Sequence, residues 1–246
     1  MNEKEFASMI KQQEAGINIQ ERERTMGLAF GTLMRKVYTW MTLALVITGV
    51  AAYYVADSGF IFTLFNNSAL LWGLIIAELV LVLGLSAAIN KLSLTVATLM
   101  FLVYSVINGI TLSSIFLVYE MSSIATVFFI TAATFGGMAL YGYSTKKDLS
   151  AIGKFLLMGL IGIIIATVVN LLFVKSGGFD LLLSYAGFLI FAGLTAYDSQ
   201  KIKEMCMSAE YADATAQKMA LLGALSLYLD FINLFLYLLR IFGRRD

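Results

Sequence analysis

Five polar side chains recur within the segment ALSLYLDFINLFLYLLRIFG, residues 224–243. Ser226, Asp230, Asn233, Tyr237 and Arg240 are separated by 4, 3, 4 and 3 residues, the spacing that stacks side chains on one face of an α-helix. A carboxylate at membrane depth is costly and has to face protein or a wet path. A helix whose remaining faces are Leu, Phe and Ile must therefore turn this polar stripe away from lipid. Of the sixteen acids in the chain, three are left unexplained by the N-terminal tail, the connectors, the span ends or the terminal Asp246: Glu78, Asp198 and Asp230.

Asp198 lies in GLTAYDSQKIKEM, on the hydrophobic segment that precedes the one carrying Asp230. Two such segments form an antiparallel hairpin, and residues equidistant from its turn share a depth. The midpoint of 198 and 230 is 214, within the polar stretch 210–215, so the two aspartates are expected to face each other. Neighbouring carboxylates in a low dielectric cannot easily both ionise; they share a proton and titrate as a unit. Histidine is absent, so proton chemistry falls to carboxylates. Glu78, midway along LLWGLIIAELVLVLGLSAAIN, is a third acid at depth, with Arg240 as a plausible counter-charge able to snorkel inward. Asn108 with Ser105 and Thr111, and Asn170 with Thr167, add neutral polar groups that bond between helices or line a path.

These residues need elements to hold them, and the composition says which kind. The 246 residues are 60% hydrophobic and 13% charged, against about 25% charged in a typical soluble domain. The chain reads as an all-α integral membrane protein. Seven apolar stretches, near 37–56, 68–89, 93–118, 124–143, 154–174, 180–202 and 217–241, approach the roughly 20 residues that cross a bilayer. Residues 1–36 form a polar tail with six basic and five acidic side chains, and residues 37–246 form one transmembrane domain. The tail lacks the apolar core and cleavage site of a secretory signal.

Lysines follow spans two, four and six, whereas the stretches after spans one and three carry no Lys or Arg. The N-terminus and even-numbered connectors are therefore cytoplasmic. Seven spans then place Arg240, Arg244 and Arg245 outside, against the same rule; six spans with a re-entrant segment would avoid this. The length of 217–241 favours seven.

Enzymatic signatures are missing: there is no phosphate loop, HExxH, paired cysteine or nucleophile elbow, which points away from an enzyme. Met205, Cys206 and Met207 are soft ligands but adjacent, so they diverge on a helix. An intramembrane aspartyl protease also needs two aspartates on neighbouring spans, yet AYDSQ and YLDFI lack its Gly-Asp context. Balanced charge gives no nucleic-acid surface. No cofactor is expected.

The segments TKKDLSAIGKF, FAGLTAYDSQKI and 224–243, together with INGITLS, resemble the transmembrane Bax inhibitor motif family, above all its bacterial branch, from about residue 30 onward. The resemblance implies a seven-helix bundle with a central C-terminal helix surrounded by the other six. It also implies a pH-sensitive calcium leak channel, with Asp198 and Asp230 matching the family's sensor pair and possible calcium contacts. Glu78 and Arg240 match the acid of the family's second helix and the arginine ending its last. One position departs: where calcium-leak members carry an arginine that locks the pair, this chain reads SAAINKLS. Asn90 or Lys91 would have to stand in, and lysine cannot make the bidentate bond of arginine.

The expected function is thus a calcium path gated by Asp198 and Asp230, with Ser226, Asn233 and Tyr237 along it. The alternative is a non-conducting regulator that binds a membrane protease or a stress or cell-death factor through the charged tail. The expected location is a bacterial inner membrane, the endoplasmic reticulum being the alternative.

Overall fold

A computed structural model describes residues 3–245, with side chains described for 20–64 and 66–245. Eight α-helices follow in order: α1 Glu3–Asp57, α2 Phe60–Asn66, α3 Ser68–Ala88, α4 Leu94–Leu112, α5 Met121–Ser144, α6 Ser150–Val169, α7 Gly177–Met207 and α8 Ala214–Phe242. A 3₁₀ turn, Ser113–Leu117, extends α4, and a π turn, Asn170–Val174, extends α6. All but α2 are long and apolar enough to cross a membrane, α1 from Gln20 onward, which gives seven candidate spans, the number expected. The short α2 was not foreseen. It follows Gly59, whose φ of 72° lies in the left-handed region that glycine enters without a Cβ clash.

Apolar side chains on nearly every face make α8 the centre. It packs against α7, α1, α5 and α4, while α3 leans chiefly on α4, and α6 on α7. Leu85 is the one fully buried residue of α3, whereas α8 buries fourteen of its 29 residues, Tyr228, Asp230, Phe231 and Leu234 among them. The ring expected around the last helix is thus made mainly by four spans, with two packed outside it.

Close approach depends on glycine at several crossings, two of which bear on the site. A Cβ on Gly142 of α5 would meet the Ala196 carbonyl oxygen of α7, and one on Gly187 of α7 would meet the Tyr237 ring of α8.

The helix ends on the face expected to be cytoplasmic are tied by polar contacts. Lys36 donates to the Gln217 Oε1 at 2.6 Å, and Lys218 donates to the carbonyls of Leu92 and Asn90 at 3.2 and 3.4 Å. Gln200 of α7 accepts from the Leu149 amide and donates to the Lys147 carbonyl, both at 2.8 Å, so the TKKDLS connector is fastened to the DSQK turn. No helix break marks residue 36: α1 runs on through it, and Ala29, Leu33 and Met34 are buried in the bundle. Met1, Asn2 and Asp246 lie outside the described residues. On the opposite face, the Glu120 amide donates to the Arg244 carbonyl and the Arg244 amide to the Ser123 hydroxyl, at 3.1 and 2.9 Å. The C-terminus therefore ends beside the connector of spans three and four, away from the N-terminus, as seven spans require.

Candidate carboxylate site in the hairpin of α7 and α8

Between Ala220 and Leu239 of α8, only Leu222, Ser226, Leu229, Asn233, Leu236 and Tyr237 are half-buried; every other residue is buried. At about 3.6 residues per turn these positions share one face, the face that carries the polar stripe. Asp230 stands at the edge of the stripe and is turned inward, 5% exposed.

The register of the hairpin differs from the expected one. Gly223 abuts Ile202 and Gly187 abuts Tyr237, which sets Asp198 level with Ser226, four residues short of Asp230. Asp198 is therefore about 6 Å nearer the cytoplasm than Asp230. The difference arises because α7 ends at Met207 and α8 begins at Ala214, so the turn is not centred on 214. Side-chain direction compensates in part. Every Cβ tilts toward its own helix N-terminus, and the two helices run oppositely, so Asp198 leans deeper and Asp230 leans toward the cytoplasm. Each side chain thus leans along the helix axis toward the level of the other.

Asp198, Ser226, Lys201 and Ser86 line a cavity of about 290 Å³ at the cytoplasmic ends of α3, α7 and α8. Lys201 follows Asp198 by three residues on the same helix and is exposed, so it supplies the positive charge at the mouth. In the sequence Lys201 marks only the orientation of the span; the i, i+3 spacing in DSQK is the signal that sets it beside Asp198. The Asp230 Oδ2 and the Ser199 Oγ are buried with no hydrogen-bond partner among the described residues. Polar groups at depth usually find partners, and an unpartnered carboxylate oxygen marks where a proton, a water molecule or a cation would be held.

The other expected site residues are elsewhere. Glu78 accepts from the Thr111 hydroxyl at 2.6 Å, with Asn108 beside it; its partners are neutral, and Arg240 is not its counter-charge. Arg240 instead reaches the Asp180 Oδ1 at 3.6 Å, both side chains being about two-fifths exposed. Tyr237 stacks on Phe191, with ring centroids 5.8 Å apart. Asn233 donates to the carbonyl of Leu229, one turn back, at 2.8 Å. Lys91 is exposed, and among the described residues it makes no ion pair with either aspartate. Asn170 ties the end of α6 to the cap of α7, accepting from the Ser176 amide at 3.1 Å and donating to the Ser176 carbonyl at 3.3 Å.

A second buried polar cluster joins α1, α4 and α8. The Tyr228 hydroxyl donates to the Asn108 Oδ1 at 2.9 Å and shares a 2.7 Å hydrogen bond with the Thr48 hydroxyl, which also lies 2.9 Å from the Ser105 carbonyl oxygen. Through Asn108 it adjoins Glu78.

A family model described as inhibitor of apoptosis-promoting Bax1 matches residues 31–246. The chain belongs to this family. It is 52% identical over 216 residues to the inner membrane protein YbhL of Escherichia coli, covering 87% of this chain and 92% of that one. It is also 46% identical to an uncharacterized protein of Borreliella burgdorferi over 213 residues, covering 86% and 91%. An uncharacterized protein of Rickettsia prowazekii, RP147, is 42% identical over 224 residues, covering 91% and 94%. With seven spans and such relatives, this is a multi-pass protein of a bacterial inner membrane.

Proposed function

We propose that the chain is a pH-sensitive leak path for calcium, gated by Asp198 and Asp230. The observation that carries this reading is the arrangement of the pair on one hairpin: two aspartates about one helical turn apart in depth, the shallower lining a cavity, the deeper holding an unpartnered oxygen. Shared between them, a proton neutralises the deep acid and closes the path; its loss or displacement by a cation opens it. Calcium takes six to eight oxygen ligands. The two carboxylates and the Ser226 hydroxyl supply part of that shell and water the rest, which suits transit better than storage. Lys201 at the mouth opposes cation entry until the pair is ionised.

The test is calcium flux into liposomes across a pH series. Flux should rise with pH in the wild type, and Asp198→Asn and Asp230→Asn should each flatten the profile. A profile unchanged in both variants would sink the proposed sensor.

The second reading is a non-conducting, non-enzymatic regulator that meets a membrane protease or stress factor through the cytoplasmic part of α1. It draws support from the Arg22 side chain, which reaches out to Glu210 at 3.3 Å, so that α1 and the α7–α8 connector form one cytoplasmic surface. Deleting residues 1–30 should abolish regulation under this reading and leave flux in place under the first.

A further inference from the structure

An apolar groove of about 480 Å³ runs between α1 and the cytoplasmic half of α5, bounded by Met34, Tyr38, Phe135, Ala139 and Leu140. Gly136 lies in it, with nothing within 4 Å of the place a Cβ would take, so the two helices do not interlock there. Leu140 is 69% exposed on a helix that crosses the membrane, so this face meets lipid rather than water. From Phe135 to Tyr143 the groove spans about 12 Å of helix.

Its cytoplasmic end is cationic. Arg35 lines the groove, and Tyr143 belongs both to it and to an adjoining hollow of about 460 Å³ that holds Lys203. Lys203 donates to the Tyr143 carbonyl at 2.8 Å, and its ammonium lies 5.0 Å from the centre of the Tyr143 ring, which fixes the charge at the rim. Among the described residues neither Arg35 nor Lys203 is ion-paired. The one acid on either lining is Glu23, which shares the hollow of Lys203 without pairing with it and lies twelve residues before Arg35, about 18 Å further along α1.

A partner that fits is apolar for about 12 Å within the bilayer and anionic at the cytoplasmic interface. We infer that the α1–α5 groove binds one anionic phospholipid of the cytoplasmic leaflet. An acyl chain lies along Gly136 and Ala139, and the phosphodiester sits between Arg35 and Lys203. Basic pockets between spans on the cytoplasmic side are suited to such headgroups, and each cation near the surface favours them. Guanidinium adds a planar fork that matches phosphate oxygens.

The test is native mass spectrometry of the full-length protein in detergent, titrated with phosphatidylglycerol or phosphatidylcholine of the same chain length. The wild type should retain one phosphatidylglycerol with a preference on the order of tenfold. Arg35→Ala with Lys203→Ala should reduce this to parity. Gly136→Leu, which fills the groove and replaces a helix-weakening residue, should lose the bound lipid of either class while the protein keeps its wild-type unfolding temperature. Equal retention of both lipids by the wild type, or undiminished phosphatidylglycerol binding by Gly136→Leu, would overturn the assignment.

Discussion

At the scale of residues, the chain keeps two kinds of buried polar group, and they differ in whether they are satisfied. Tyr228 is fully buried yet has partners in Thr48 and Asn108, with the rings of Phe101 and Tyr104 set edge-on against it at 5.7 and 5.9 Å. Asp230 leaves one oxygen without a partner. Removing one member of the satisfied cluster strands the others, which costs about 1–3 kcal/mol for a buried group. Tyr228→Phe keeps the rings and deletes only the hydroxyl. It should lower the unfolding temperature by several degrees in detergent, read by tryptophan fluorescence or light scattering, without changing the pH dependence of flux. An unchanged unfolding temperature would mean that this cluster adds nothing to stability. AYDSQKI shows why residue roles were only partly legible. Asp198 stood out as a charge in an apolar run, whereas Gln200, which fastens the preceding connector, and Lys201, at the cavity mouth, look like ordinary interfacial residues until the helices are brought together.

At the scale of elements, the decisive contacts are those that glycine permits. α5 and α7 approach so closely at Gly142 that an added methyl would overlap the backbone of Ala196. Backbone cannot rotate aside as a side chain can, so Gly142→Ala must push the helices apart, an overpacking cost of typically 1–3 kcal/mol. Gly137→Ala, one and a half turns earlier with nothing within 4 Å, should be neutral or stabilising, since alanine is the better helix former. Unfolding temperatures of the two variants in detergent check the contrast, and equal values would contradict the close crossing. Span number and order were legible because a run of about 20 apolar residues is a strong signal. The hairpin register was not: it depends on where α7 ends and α8 is capped. The Asp213 side chain accepts from the Ala216 amide at 2.8 Å, starting α8 at Ala214, and the polar stretch 210–215 alone does not show that boundary. The partner of Arg240 was missed for a similar reason, because Asp180, at the other end of the same hairpin, read as a span-end acid.

For the whole molecule, the two described ends of the chain lie on opposite faces, and the basic C-terminus, expected outside, is held by backbone pairing rather than by charge. Tyr119 and Arg245 form an isolated antiparallel bridge beside the Glu120 and Arg244 hydrogen bond. Arg245→Cys, in a background where the buried Cys206 is replaced by Ala, should react with a membrane-impermeant maleimide added outside intact spheroplasts. Labelling only after lysis would place the C-terminus in the cytoplasm and overturn the orientation that the connector lysines predict. α1 from Gln20 to Asp57 has 38 residues and is roughly 57 Å long, well beyond a hydrocarbon core of about 30 Å, so its cytoplasmic end stands clear of the membrane and rests on the α7–α8 connector.

The shallow anchorage of α3 has a mechanical meaning. Lipid tails are as apolar as leucine, so no hydrophobic force holds a span in its bundle. A helix with one buried residue and one principal neighbour is fixed by a single seam. Among the walls of the Asp198 cavity, it is the panel that swings at least cost. Turning about its contact with α4, to which the hydrogen bond between Glu78 and Thr111 belongs, it would draw Ser86 away from the cavity. The hairpin and its two aspartates then serve as the door frame.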